Sequence, residues 1–252
     1  MIASGGLLVI TAHPDDEVLI AGGTLAACAA AGRATGVVCL TRGEQGPISD
    51  PVLATRDTLG AKRAAELNEA CAQLGVAFIK CLHNEDGNLK WCDSNGIVGQ
   101  LAAIVDARHP NAVVTFGEDG LYYHPDHIAT YELSARAVQR AADPPALYRS
   151  VWPRTLMRDL VSDVERQALP ADVWGLAPEA FGSEDDHESF TIDVRPFAHR
   201  KLRALRAHRT QLSPEHAIAA IPPDLAERYF GFERFAQISG GADWLRETLR
   251  DA

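Results

Sequence analysis

The chain has 252 residues, 46% hydrophobic and 23% charged, a mixture that fits a globular protein and excludes disordered, collagen-like and fibrous chains. By surface scaling, a chain of this size buries roughly 70% of its unfolded surface, so no metal or disulfide is needed as a staple and any metal is free for chemistry. Lys plus Arg number 24 against 34 Asp plus Glu, a formal charge of −10, and no basic run tracks phosphates, which argues against nucleic acid as a partner.

In chain order, short apolar runs alternate with longer helical patterns: 7–10 then 17–32, 36–41 then 57–74, 76–82 then 96–108, and 112–116 then a helix after His127. Continuous rather than alternating apolar strands, joined by crossover helices, predict an α/β fold: a Rossmann-like, doubly wound, mainly parallel sheet. After Asp143-Pro144-Pro145 the repeat becomes irregular, with a strand predicted over 190–194 and a basic amphipathic helix over 197–209. No second core is evident, so one domain over 1–252 is expected, with its core over about 6–140 and a C-terminal elaboration over about 141–252. The run Ser183-Glu184-Asp185-Asp186-His187-Glu188 reads as a solvated acidic loop, and the long connection from Arg42 to Arg56 as a lid or an oligomer contact.

Five cysteines, odd in number and never spaced C-x-x-C, suggest a reduced, cytoplasmic chain. The start has no basic n-region and no apolar stretch reaches a membrane span, so neither export nor membrane insertion is expected.

The first strand runs into Thr11-Ala12-His13-Pro14-Asp15-Asp16-Glu17, where a dinucleotide-binding protein would carry its glycine-rich turn. Carboxylates there repel a pyrophosphate and invite a cation. Alone, the segment also reads as a helix start, with Pro at the first position and acids in the first turn. The second corner decides: strand 112–116 is followed by Gly117-Glu118-Asp119-Gly120-Leu121-Tyr122-Tyr123 and then by His124-Pro125-Asp126-His127, so the same word returns after another strand.

In the doubly wound order 3-2-1-4-5 these two strands are neighbours, and the crevice beyond their carboxyl ends is where such sheets bind ligands. His13, Asp16 and His127 then form a two-imidazole, one-carboxylate site with open positions, the catalytic pattern of a metal ion. Asp15 is placed to act as general base on metal-activated water. His124 is expected to stay protonated and donate to the oxyanion or leaving amine, oriented by the Asp126 carboxylate.

These residues resemble the LmbE-like/PIG-L zinc-dependent N-deacetylases. Thr41-Arg42-Gly43-Glu44-Gln45-Gly46 is similar to that family's T-x-G-E-x-G loop, and Arg63-x-x-Glu66-Leu67 with Leu74-Gly75-Val76 to its next helix. Lys201, Ala204-Leu205, Ala207-His208 and Gln211 resemble its late helix. The resemblance implies one Zn2+ per chain, with Fe2+ as a possible substitute, held by His13, Asp16 and His127. It further implies hydrolysis of an N-acetyl group on an N-acetylglucosamine conjugate or related small molecule, with Arg63, Asp86 and Tyr122 touching the sugar or the reaction centre. Residues 142–189 match nothing in the family pattern, and relatives are often homo-oligomers. Three other readings stay open: a mycothiol-conjugate-type or other amidase on the same site, an iron(II) facial-triad oxygenase, and a sugar-binding protein that lost its chemistry.

Overall fold

The computed structural model describes residues 5–183 and 188–250. Glu184, Asp185, Asp186 and His187, the heart of the acidic run, lie outside them. The strand–helix half comprises β1 (Leu7–Thr11), α1 (Asp16–Ala30), β2 (Thr35–Thr41), α2 (Arg56–Leu74), β3 (Phe78–Asn84), α3 (Ser94–Arg108), β4 (Ala112–Thr115), the short turn α4 (Gly120–Tyr123) and α5 (Pro125–Arg140). Then follow β5 (Ala146–Val151), α6 (Arg154–Arg166), β6 (Phe190–Asp193), α7 (Ala198–Leu205), α8 (Ala217–Ala220), α9 (Pro223–Phe230), β7 (Phe232–Ser239) and α10 (Trp244–Thr248).

All seven strands join one sheet in the order β3-β2-β1-β4-β5-β7-β6. Every residue of β1, β2 and β4 is buried, as their unbroken apolar sequences require of strands covered on both faces. β1 pairs in parallel with β2 on one side and β4 on the other, so the winding reverses there and the loops after β1 and β4 open into one crevice. The parallel pattern continues to β5, but β7 runs antiparallel to β5 and β6 antiparallel to β7. The C-terminal elaboration therefore extends the same sheet. β7 escapes a hydrophobicity reading because its pattern is inverted: Phe232 is 45% exposed while Glu233 is 5% exposed.

Glu233 is buried because it repairs a break in α1, where Ala21 leaves helical geometry with φ −153°. Its carboxylate accepts the backbone N–H groups of Gly23 and Thr24, each at 2.8 Å, which cap the second half of the helix. Lys201 on α7 donates to Glu233 Oε1 at 2.7 Å and to the Leu19 carbonyl, which ends the first half, at 3.1 Å. Position 23 requires glycine, since a Cβ there would stand 2.5 Å from Val194.

The basic helix is shorter than its sequence pattern, ending at Leu205, and its charges serve its own chain. Arg200 donates to the Gln73 carbonyl, Arg206 to the carbonyls of Ala219 and Ile221, and Arg209 pairs with Glu69. The 42–56 connection is likewise tied to its own chain at several points. Arg56 holds the carbonyls of Glu44 and Gly46, Gln211 holds that of Pro47, and Ser49 bonds to the carbonyls of Thr210 and Arg209. All five cysteines are free, and no described helix is long and apolar enough to cross a membrane.

Candidate metal centre

The turn after β1 and the first turn of α5 bring His13, Asp16 and His127 together. His13 Nδ1 and His127 Nε2 lie 3.3 Å apart, and the Asp16 carboxylate bridges them with different oxygens, Oδ2 at 3.3 Å from His13 and Oδ1 at 3.3 Å from His127. All three side chains are buried. Ligand atoms around a tetrahedral zinc ion, each about 2.0–2.1 Å from it, stand roughly 3.3–3.4 Å apart, so the spacing of the two imidazole nitrogens suits such an ion, with the Asp16 carboxylate beside both.

The far side of each imidazole supports the same reading. His127 Nδ1 donates to the Gly120 carbonyl at 3.0 Å, and His13 Nε2 faces Asp86 Oδ1 at 3.0 Å and Asp126 Oδ2 at 3.4 Å. With those N–H groups turned outward, His13 Nδ1 and His127 Nε2 face each other across 3.3 Å, a gap that either a shared proton or a bound cation fills. The donor set of two imidazoles and a carboxylate suits zinc or iron. Burial works against a charged His13, but the carboxylates of Asp126, Asp16 and Asp86 carry its pKa well above the usual value. Burial is likewise outweighed at Asp16, whose pKa His127 and His13 hold well below the carboxylate range, and at Asp86, which the His13 hydrogen bond lowers to about 2.

Asp15, beside this triangle, has φ 117° and ψ −32°, a strained conformation for a residue with a side chain. Its carboxylate meets Arg63 Nη2 at 3.1 Å, and Arg63 also donates to the carbonyls of Pro14 and Gly43. Arg63 is itself buried, which rules out a surface ion pair. Burial pushes the Asp15 carboxyl up to about 6, the guanidinium pulling the other way.

His124 differs from expectation in its charge. Its Nδ1 accepts the Asp126 backbone N–H at 3.2 Å, leaving the proton of the neutral ring on Nε2. Burial first, then the neighbouring His127 and His13, lowers its pKa to about 4. A neutral N–H donor therefore replaces the expected imidazolium. The Asp126 carboxylate does not orient His124; it accepts the N–H groups of Gly87 at 2.8 Å and Leu89 at 3.1 Å and faces His13.

A cavity of about 500 Å3 opens over these groups and is lined by His13, Asp15, Asp16, Arg63, Asp86, Tyr122 and His124. Asp126 and His127 lie behind its wall, both fully buried. The Tyr122 ring stands edge-on to His127 at 5.2 Å and packs on Phe181 at 5.0 Å. The cavity's remaining lining includes Gln45, Gln211, Trp174 and Leu176, to which the sequence reading assigned no role. Gln45 and Gln211 sit in quoted motifs, which was the available signal; Trp174 and Leu176 lie in the unmatched segment and carried none. That segment is anchored to the second corner, with Gly182 N donating to the Leu121 carbonyl at 2.7 Å. A second cavity, about 340 Å3, borders Lys201 and Glu233 and holds none of the candidate residues.

Comparison with known proteins identifies the chain's relatives. The PIG-L family profile, described as GlcNAc-PI de-N-acetylase, matches residues 8–138. A 1D-myo-inositol 2-acetamido-2-deoxy-alpha-D-glucopyranoside deacetylase from Actinosynnema mirum is 37% identical over 276 residues, covering 96% of this chain and 95% of that protein. A deacetylase of the same name from Thermomonospora curvata is 32% identical over 272 residues, covering 93% and 90%. The solved N,N'-diacetylchitobiose deacetylase from Pyrococcus horikoshii superposes with a TM-score of 0.57 at 26% identity, over 90% of this chain and 74% of that one. On these matches, the chain belongs to the PIG-L (LmbE-like) de-N-acetylase family.

Proposed function

We propose that this protein is a zinc-dependent hydrolase that removes the acetyl group from a 2-acetamido-2-deoxyglucose conjugate, releasing acetate and a free amine. The observation that carries the reading is the triangle of His13 Nδ1, His127 Nε2 and the Asp16 carboxylate at 3.3 Å, with both imidazoles fixed from behind and a carboxyl of raised pKa beside it.

His13, Asp16 and His127 would hold the ion. When bound, a divalent ion of this kind lowers the pKa of water and polarises an amide carbonyl. Asp15 takes the proton from the attacking water, a task suited to a carboxyl with a pKa near neutrality. Arg63 fixes that carboxyl from one side and keeps it from rotating away. His124 donates its Nε2–H to the carbonyl oxygen as negative charge develops there, and Asp15 returns its proton to the leaving amine.

The substrate class draws on the relatives, two of which are named for an N-acetylglucosaminyl inositol and one for diacetylchitobiose. The test is acetate release by the zinc-loaded protein from N-acetylglucosamine, N,N'-diacetylchitobiose and 1D-myo-inositol 2-acetamido-2-deoxy-α-D-glucopyranoside, with Asp15→Ala as the blank. Release that disappears in the variant supports the reading. Tight sugar binding without release by a metal-loaded protein would instead mark a binding protein, and oxygen consumption coupled to turnover an oxygenase.

A further inference from the structure

The late motif at 201–211 reaches the site from behind, and one of its residues has no place in the chemistry above. His208 lies in the turn after α7 and is fully buried, and its Nε2 stands 2.9 Å from Glu17 Oε1. The other Glu17 oxygen accepts the backbone N–H of Asp15 at 2.9 Å. Glu17 is also fully buried. A buried carboxylate keeps a fixed orientation only while its oxygens are paired, and here one pairing runs to the strained residue and the other to a turn 191 positions away.

Asp15 is therefore gripped twice. Arg63 on α2 holds its carboxylate, and Glu17 holds its amide in the φ 117° conformation that turns the side chain away from the helix and into the cavity. The turn bearing His208 is tied to the same helix that carries Arg63, because Thr210 bonds to Glu66 through its N–H at 3.0 Å and its hydroxyl at 2.6 Å. His208 Nδ1 has no hydrogen-bond partner among the described residues, so the ring's one polar task is its bond to Glu17.

We propose that His208 is a positioning residue for the hydrolysis: through the Glu17 carboxylate it holds the Asp15 backbone in its strained turn and so aims the Asp15 carboxyl at the attacking water. The inference rests on the reading of Asp15 as the base.

The test compares the zinc-loaded parent with His208→Ala, His208→Gln and His208→Asn, and with Asp15→Ala. It records kcat and KM on 1D-myo-inositol 2-acetamido-2-deoxy-α-D-glucopyranoside, zinc content, and amide hydrogen exchange over residues 13–19. His208→Ala should lower kcat about 10- to 100-fold, the scale of a misaimed catalytic group, with KM and zinc content within about twofold. Exchange at the Asp15 amide should quicken in the same variant, a readout that needs no substrate. The Gln amide reaches the Glu17 oxygen and should restore most of both properties, whereas Asn falls short. If His208→Ala does not fold, the Gln-to-Asn contrast carries the test.

Equal kcat and exchange in the Gln and Asn variants, or a kcat within about twofold of the parent in His208→Ala, would overturn the proposal. Zinc lost in step with kcat would overturn it too, in favour of a structural role. Full activity in Asp15→Ala would sink the base assignment itself; an inactive Asp15→Ala beside parent-like His208 variants would sink only the positioning role.

Discussion

Asp86 Oδ1 lies 3.0 Å from Nε2 of His13, on the side of the imidazole that faces away from His127. The resemblance implies that Asp86 touches the sugar or the reaction centre; it lines the cavity, and its oxygens are engaged, one by His13 and the other by the Gln45 N–H at 2.6 Å. An acceptor behind a metal-binding imidazole fixes the ring and raises its basicity. Asp86→Ala should therefore weaken zinc binding about 10- to 100-fold, measured by chelator competition. A change confined to KM, with zinc affinity intact, would leave Asp86 a substrate contact alone.

Asp15 carries a stability cost that its chemistry requires. A left-handed φ of 117° is strained for any side chain and free for glycine. Asp15→Ala and Asp15→Gly should both abolish acetate release while retaining zinc, yet differ in stability. The glycine variant should be more stable than the alanine variant by about 1–2 kcal/mol in urea unfolding. Alanine and glycine variants of equal stability would show that the turn relaxes once the carboxylate is gone.

The first half of the sheet was legible because its strands are buried on both faces and so read as unbroken apolar runs such as Leu7-Leu8-Val9-Ile10. The crevice followed from the strand order, and with it the meeting of His13 and Asp16 with His127. What a sequence does not display is which face of a ring meets which acceptor. Asp126 lies two residues from His124 and was assigned to it, yet the backbone at the start of α5 sends its carboxylate to Gly87, Leu89 and His13. β7 stayed hidden because Glu233 is buried for a hydrogen-bonding task while Phe232 faces solvent. Trp174 belongs to a turn without regular periodicity, so nothing in its spacing marks a cavity wall.

That turn yields a prediction about substrate binding. Trp174 and Gly175 both have positive φ, 52° and 70°, and Leu176 N closes the turn on the Val173 carbonyl at 2.9 Å. A bulky aromatic in a conformation that favours Asn or Gly is held there by packing, with Phe181 at 6.3 Å and His216 at 4.3 Å between ring centroids. The indole lines the same cavity as Tyr122, and an aromatic face on a cavity wall can stack on a sugar ring. Trp174→Asn should raise KM for the glycosidic substrates about tenfold while leaving kcat and zinc content near parent values. A fall in kcat at constant KM would place Trp174 nearer the reaction than the cavity wall.

His216, beneath Trp174, should govern part of the acid stability. It is 2% exposed, its Nδ1 accepts the Ile218 N–H at 3.2 Å, and its Nε2 has no hydrogen-bond partner among the described residues. Burial lowers its pKa to about 4, with Asp172 opposing weakly. The native state thus binds no proton here between about pH 6.5 and pH 4, whereas the unfolded chain does. The contribution is complete above the unfolded pKa of about 6.5 and is lost as pH falls toward 4, with a ceiling of roughly 3 kcal/mol at about 1.4 kcal/mol per pKa unit. Asn at this position keeps an oxygen for the Ile218 N–H and cannot titrate. Urea unfolding of the parent and of His216→Asn at pH 7, 6, 5 and 4.5 should therefore show the parent losing stability relative to the variant at each step down. A difference that stays constant with pH would mean that His216 is protonated in the folded protein or reached by water, and the acid sensitivity would have to come from other groups.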